Sequence, residues 1–74
     1  MSDRRDLRRI GYNISNHVME RNTDLKRLAD DTGIPLNSVY QYARGAVEMP
    51  ATRLKIIAVA LGCTTDDLLE GVCE

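Results

Sequence analysis

Hydrogen-bonding side chains cluster in residues 36–44, which read LNSVYQYAR. Asn37 and Gln41 each carry an amide that donates and accepts at once, the pattern that pairs with the edge of an adenine base. Ser38 can donate or accept, and Arg44 is a fixed cation that suits guanine or a phosphate. This surface therefore has the chemistry to contact nucleotides, and its plain alternative is an ordinary solvated helix face.

The turn that precedes this segment indicates how it is positioned. Asp24 is a suitable N-cap for a helix over residues 25–32, LKRLADDT. Gly33 stands where a left-handed cap is needed, and Pro35 prevents the helix from simply continuing. A next helix over residues 36–44 would bury Val39 and Tyr42 and leave its polar residues outside. Helix, short turn with glycine and helix is the arrangement in which the second helix enters the DNA major groove.

The first helix is predicted from an apolar repeat at helical spacing. Leu7, Ile10, Ile14 and Val18 form the repeat, and the helix should end near Arg21. Four arginines open this segment: Arg4, Arg5, Arg8 and Arg9. The run RRDLRR is open to two interpretations, a basic arm that reaches along DNA or a solvated helix end.

Two more helices are predicted in the C-terminal part of the chain. Residues 51–61, ATRLKIIAVAL, form the most apolar segment, with core spacing at Leu54, Ile57, Ala58 and Leu61. Thr64 or Thr65 should cap a last helix, TDDLLEG. Because no segment alternates like a strand, we predict an all-α fold of five short helices. Residues 1–74 form one domain, with a helix-turn-helix core at about 24–45 and an acidic tail at about 71–74.

Composition limits the classes of function. The net charge is −1, but residues 1–61 hold all ten Lys and Arg against seven Asp and Glu, so a basic patch can still meet phosphate. His17 is the only histidine, and its simplest interpretation is a half-buried ring with a satisfied nitrogen. Cys63 and Cys73 are expected to be reduced thiols. No nucleophile with a histidine and an orienting acid at usable positions, no metal-ligand cluster and no phosphate-binding glycine loop is recognised, so we expect neither an enzyme nor a bound metal or cofactor.

The N-terminus, MSDRRDLRRI, is charged and leads into no apolar run of the length that a signal peptide needs. No segment has the length of a membrane span either. We therefore expect a cytoplasmic, soluble protein with no membrane partner.

Two stretches, LADDTGIPLNSVYQYARG and RLKIIAVALGCTTDDLLEG, resemble the phage-repressor and Cro type, or Xre family, of helix-turn-helix proteins. The resemblance covers about residues 10–70 and implies a lambda-repressor-like domain that binds double-stranded operator DNA. It implies that the recognition helix contacts bases through Leu36, Asn37, Ser38 and Gln41, with Tyr40 beside them. It also implies that Arg44 contacts a phosphate.

Departures from the family pattern weaken some of these expectations. The family commonly has Gln at the first turn of the second helix, where it contacts the DNA backbone, and Leu25 stands at that position here. Asp24 beside it is acidic, and the loop GAVEMP is not basic. An Arg and Glu pair of the family is matched by Val18 and Ala43, so we expect Val18 to be buried near Ala43.

Two functions of different class follow. The first is a sequence-specific transcriptional regulator, expected to be a repressor at a near-palindromic operator, with no small-molecule effector. The second is a protein-interaction module or antitoxin-like regulator with weak or no DNA binding. Because a monomer would contact too few base pairs to be specific, a homodimer is expected. Leu69 and Val72, with Cys73 nearby, offer apolar surface for a symmetric contact.

Overall fold

Five α-helices follow one another in the computed structural model, which describes residues 4–72. They are α1 (Arg4–Glu20), α2 (Leu25–Thr32), α3 (Leu36–Arg44), α4 (Ala51–Leu61) and α5 (Thr65–Leu68). The described residues form no strand, so the all-α prediction is confirmed. None of these five helices is both long enough and apolar enough to cross a bilayer.

The bounds of the three central helices agree with the sequence, because local signals define them. The Asp24 carboxylate accepts the Arg27 backbone N–H at 2.7 Å and so caps α2. Gly33 ends α2 with φ of 76°, a left-handed conformation that glycine adopts without a steric penalty. The last helix is shorter than the predicted TDDLLEG segment, because the chain turns after Leu68. Its N-terminus is capped by Thr64, which accepts the Asp67 backbone N–H at 3.1 Å.

A single core joins the five helices. Val39 and Tyr42 of α3 face inward as predicted, with 1% and 6% of their surfaces exposed. The remaining buried apolar residues come from every other helix and from the turn after α2: Ile14, Val18, Leu28, Ala29, Ile34, Ile57, Ala58, Leu61 and Leu68. Their burial holds α3 on the rest of the domain along one side only.

Helix α1 braces the domain at two places. A Cβ atom built on Gly11 would overlap the backbone carbonyl oxygen of Ala43, so only glycine lets α1 approach the end of α3 this closely. Farther along α1, the buried Asn13 amide donates to the carbonyl oxygens of Leu68 and Glu70, at 2.9 and 2.8 Å. Val18 is buried as expected, although α1 meets Ala43 at Gly11, about two helical turns earlier.

Candidate nucleic-acid interface

The outer face of α3 carries the side chains that the sequence singles out. Asn37, Tyr40 and Arg44 are exposed, with Tyr40 showing 46% of its surface. Ser38 and Gln41 are partly exposed on the same helix. Five of the six predicted DNA-contacting residues therefore lie at a surface that a second molecule can reach.

Leu36, the sixth of these residues, has one part of its side chain in the interior and another part at the surface. It is partly buried and packs against the core. It also lines a shallow cleft beside the turn, together with Gly33, Ile34 and Pro35. Leu36 can present an apolar edge to a ligand, but its first role is to seat the start of α3.

The turn between α2 and α3 is fixed by one side chain. The Thr32 hydroxyl donates to the carbonyl oxygen of Leu28 at 2.8 Å. The same hydroxyl oxygen accepts the backbone N–H of Ile34 at 3.2 Å. Since Thr32 ends α2 and Ile34 is buried, this pair of bonds sets the direction in which the chain enters α3.

A second constraint acts from the inner side of α3, opposite its exposed face. The Tyr42 hydroxyl, at the inner side of α3, accepts a hydrogen bond from Nη1 of Arg53 on α4 at 2.8 Å. Burial of the Tyr42 ring and this bond together resist rotation of α3 about its axis. The exposed side chains are thus presented by a helix that is held on a packed domain.

Charge is distributed unevenly along this surface. At the start of α2, Asp24 is the N-cap and Leu25 packs partly against the core. The first side chain is acidic and the second is apolar, so neither supplies a cation. Arg27 lies near Asp31, with 3.8 Å between Nε and Oδ1. Lys26 is exposed, but residues 24–32 also carry Asp24, Asp30 and Asp31, so this end of the helix-turn-helix unit is less suited to hold phosphate.

The opposite end of the unit is strongly basic. Arg44 at the end of α3 lies beside Arg4 and Arg8 of α1, and the three side chains line one open depression of about 280 Å³. Gly45 and Ala46 supply its remaining wall. Sequence spacing places Arg4 and Arg8 on one helix face, but nothing in the sequence shows that this face meets Arg44.

The glycine after α3 makes this arrangement possible. Gly45 has φ of 70°, and a Cβ atom at this position would lie 2.7 Å from the Cα atom of Arg8. Any side chain at residue 45 would therefore push α1 away from the end of α3. Together with Gly11, Gly45 fixes the position of the arginines on α1 relative to Arg44.

Two titratable groups among residues 4–72 have shifted pKa values, and both lie near the start of α5. Burial raises the pKa of the Cys63 thiol, and the nearby Asp67 raises it further, so the thiol stays protonated at neutral pH. The pKa of Asp67 is lowered, because its carboxylate accepts hydrogen bonds from Thr64. His17 is half-buried, with Nδ1 3.7 Å from the Glu20 carboxylate. Residues 4–72 hold no group of three or more His, Cys, Asp or Glu arranged to bind a metal ion.

The residues expected to form a dimer contact lie away from α3 in the chain. Leu69 and Val72 are partly buried, and Cys73 lies outside the described residues. Sequence reasoning missed two better exposed apolar residues on α4. Ile56 and Val59 show 44% and 65% of their surfaces, because α4 is apolar on more sides than the core covers.

Comparison with known protein families gives a match over most of the chain. The model of the Cro/C1-type helix-turn-helix DNA-binding domain matches residues 13–74. Searches of curated proteins and of solved structures gave no significant match. The matched range contains α2, α3 and the turn between them, but it begins after Arg4, Arg8 and Gly11.

Proposed function

The chain belongs to the Cro/C1-type helix-turn-helix DNA-binding domain family, and from this premise we propose that it is a sequence-specific transcriptional regulator. It represses by binding a near-palindromic operator as a dimer. The observation that carries the proposal is the outer face of α3, where Asn37 and Arg44 are exposed and Gln41 is partly exposed on a helix fixed by Val39 and Tyr42.

In this proposal α3 lies in the major groove and its side chains divide the work. Asn37 and Gln41 pair with adenine edges, and Ser38 bonds to either a donor or an acceptor. Arg44 holds a phosphate, which sets the position of the helix but carries no sequence information. Tyr40 lies beside the base contacts, and Leu36 offers apolar contact to a thymine methyl group.

Dimerisation follows from the small size of one recognition helix. Two copies related by a two-fold axis would place their α3 helices in successive major grooves and double the number of base pairs contacted. Leu69, Val72 and Cys73 are the proposed contact. Sedimentation of Leu69→Glu should then show a monomer where the parent is a dimer, while Val59→Glu on α4 serves as the control. The reverse result would move the contact to α4.

Selection from a library of randomised duplexes tests DNA recognition even though the operator sequence is not known. The purified chain should enrich a near-palindromic sequence. It should bind that duplex at least 10³-fold more tightly than a scrambled one, roughly the lower end for specific DNA-binding proteins. No enrichment, together with equal affinity for both duplexes, would contradict the proposal.

A second candidate function has its own support. A protein-interaction module or antitoxin-like regulator is favoured by two exposed apolar residues, Met19 on α1 and Val59 on α4. It is also favoured because Asp24 and Leu25, at the start of α2, are not cationic. This candidate predicts no measurable binding to any duplex, even at low salt, where phosphate contacts are strongest.

A further inference from the structure

Three arginines from two helices converge at the C-terminal end of α3. Arg4 and Arg8, one turn apart on α1, line the same depression as Arg44 at the end of α3. No acidic side chain lines this depression, and within residues 4–72 none of the three guanidinium groups forms an ion pair. We call these three residues the arginine triad.

Such an arrangement is unfavourable in the free protein. Like charges at positions i and i+4 of a helix destabilise it by a few tenths of a kcal/mol, and Arg44 adds a third cation to the pair. Long side chains on an exposed surface could spread apart, but here the backbones that carry them are fixed close together. A bound anion would remove the repulsion and would gain several charge-assisted hydrogen bonds at once.

The backbone geometry makes the triad a permanent feature of the fold. Gly45 leaves no room for a Cβ atom beside Arg8, and Gly11 leaves none beside Ala43, so α1 crosses the end of α3 at van der Waals contact. Arg8 is therefore held next to the last turn of the helix that carries Gln41 and Arg44. A phosphate held by Arg44 would lie within the depression that Arg4 and Arg8 also line.

We propose that the arginine triad is a composite phosphate site for the DNA backbone, to which Arg4 and Arg8 of α1 contribute two contacts besides that of Arg44. The proposal rests on the proposed DNA-binding function and deepens it. It explains how α3 can be anchored although Asp24 and Leu25 provide no cation at the start of α2. Arg4 and Arg8 lie before residues 13–74, the range that matches the family model.

Variants of α1 give the direct test. Arg4→Ala/Arg8→Ala should weaken binding to the selected operator and to a scrambled duplex by the same factor, because phosphate contacts carry no sequence information. The loss should be about eight-fold for each contact at 0.1 M salt, and the salt slope should fall by about two units. Fluorescence anisotropy at two salt concentrations measures both quantities.

A matched control removes equal charge from the same helix. Arg5→Ala takes from α1 one arginine that does not line the depression, and it is compared with Arg8→Ala alone. Thermal unfolding of all variants verifies that the domain is intact. Equal effects of Arg5→Ala and Arg8→Ala on the salt slope would show that the arginines of α1 act only through their overall positive charge. That result would overturn the proposal.

Neutral phosphates locate the contact on the DNA. A methylphosphonate that replaces the phosphate facing the triad should weaken DNA binding by the parent protein. It should not weaken DNA binding by Arg4→Ala/Arg8→Ala further, since that variant has already lost the contact. Additive losses at every methylphosphonate position would overturn the triad while leaving DNA binding established. If the parent bound no duplex at all, the proposed function would fail first, and the triad as a DNA site would fail with it.

Discussion

At the start of the helix-turn-helix unit, residues 24–32 hold three carboxylates against two cations, whereas three arginines meet at its end without an acid. The first region is ordered by hydrogen bonds within the chain, through the Asp24 cap and the Thr32 hydroxyl. The second is ordered by the close packing of α1 on α3 and leaves its cations free for a ligand. One end thus serves the fold, and the other end is proposed to hold DNA.

A helix-turn-helix unit must combine two properties, and here they are separated between its two ends. The turn region fixes the direction of α3. Asp24 and Thr32 do this through hydrogen bonds of their side-chain oxygens, and this role does not require a residue that also binds phosphate. Anchoring on DNA needs cations near the same helix, and α1 brings them from outside the unit. The location of the proposed phosphate contacts therefore depends on tertiary packing more than on the helix-turn-helix segment.

The largest expected effect is on stability, at the glycine that joins α1 to α3. Gly45→Ala meets a left-handed penalty of roughly 1–2 kcal/mol and an overlap with the Arg8 backbone of roughly 1–3 kcal/mol. Gly33→Ala is the matched control, because its φ of 76° is similar but nothing lies within 4 Å of the added Cβ atom. Chemical unfolding should show that Gly45→Ala is clearly the more destabilising. Equal losses would mean that α1 is not held against α3 by this contact.

Removal of a base contact should give the next largest effect. Gln41→Ala should lose about 1–3 kcal/mol of binding free energy on the selected operator and little on a scrambled duplex. Gln41 is partly exposed and outside the core, so thermal unfolding should change little. Equal losses on both duplexes in an anisotropy titration would remove Gln41 from the base-contacting set.

Arg44→Ala should fail in a different way. Binding should weaken by a similar factor on every sequence, and the salt slope should fall by about one unit. The operator's advantage over a scrambled duplex should stay close to that of the parent, which a titration of both duplexes at two salt concentrations would show. A specific loss on the operator would instead place Arg44 on a base.

The smallest effect concerns the acidic end of the unit. Asp24→Asn keeps an N-cap of nearly equal quality and removes one negative charge from the start of α2. Folding stability should change by no more than the helix-dipole contribution, about 0.3–1 kcal/mol. DNA affinity should rise modestly at low salt and return to the parent value at high salt. Unchanged affinity at low salt would show that this end lies far from the DNA backbone.

Local signals explain why the central helices and the exposed side of α3 could be predicted from the sequence. Asp24, Gly33 and Pro35 define the turn, and the apolar spacing of Val39 and Tyr42 defines which side of α3 is buried. The arginine triad could not be found in this way, because it depends on where α1 crosses α3. That crossing is determined by Gly11 and Gly45, whose role is visible only once the backbones are brought together.

The sequence does not show which apolar residues are exposed in the folded domain. Leu69 and Val72 stand out in the sequence as apolar residues beyond those that the core needs, yet both are partly covered. Ile56 and Val59 lie in a helix that is apolar throughout, so their exposure cannot be separated from the core spacing of Ile57 and Leu61 without the fold. The proposed dimer contact therefore depends on experiment more than the proposed DNA face does.

A titration of ¹⁵N-labelled protein with the selected duplex, followed by amide chemical shifts, tests the central claim most directly. We expect the largest changes over residues 36–44 and around Arg4 and Arg8 on α1, with little change at the start of α2. Changes confined to the exposed apolar residues of α4, or no change with any duplex, would contradict the assignment of α3 and the arginine triad as the DNA-binding surface.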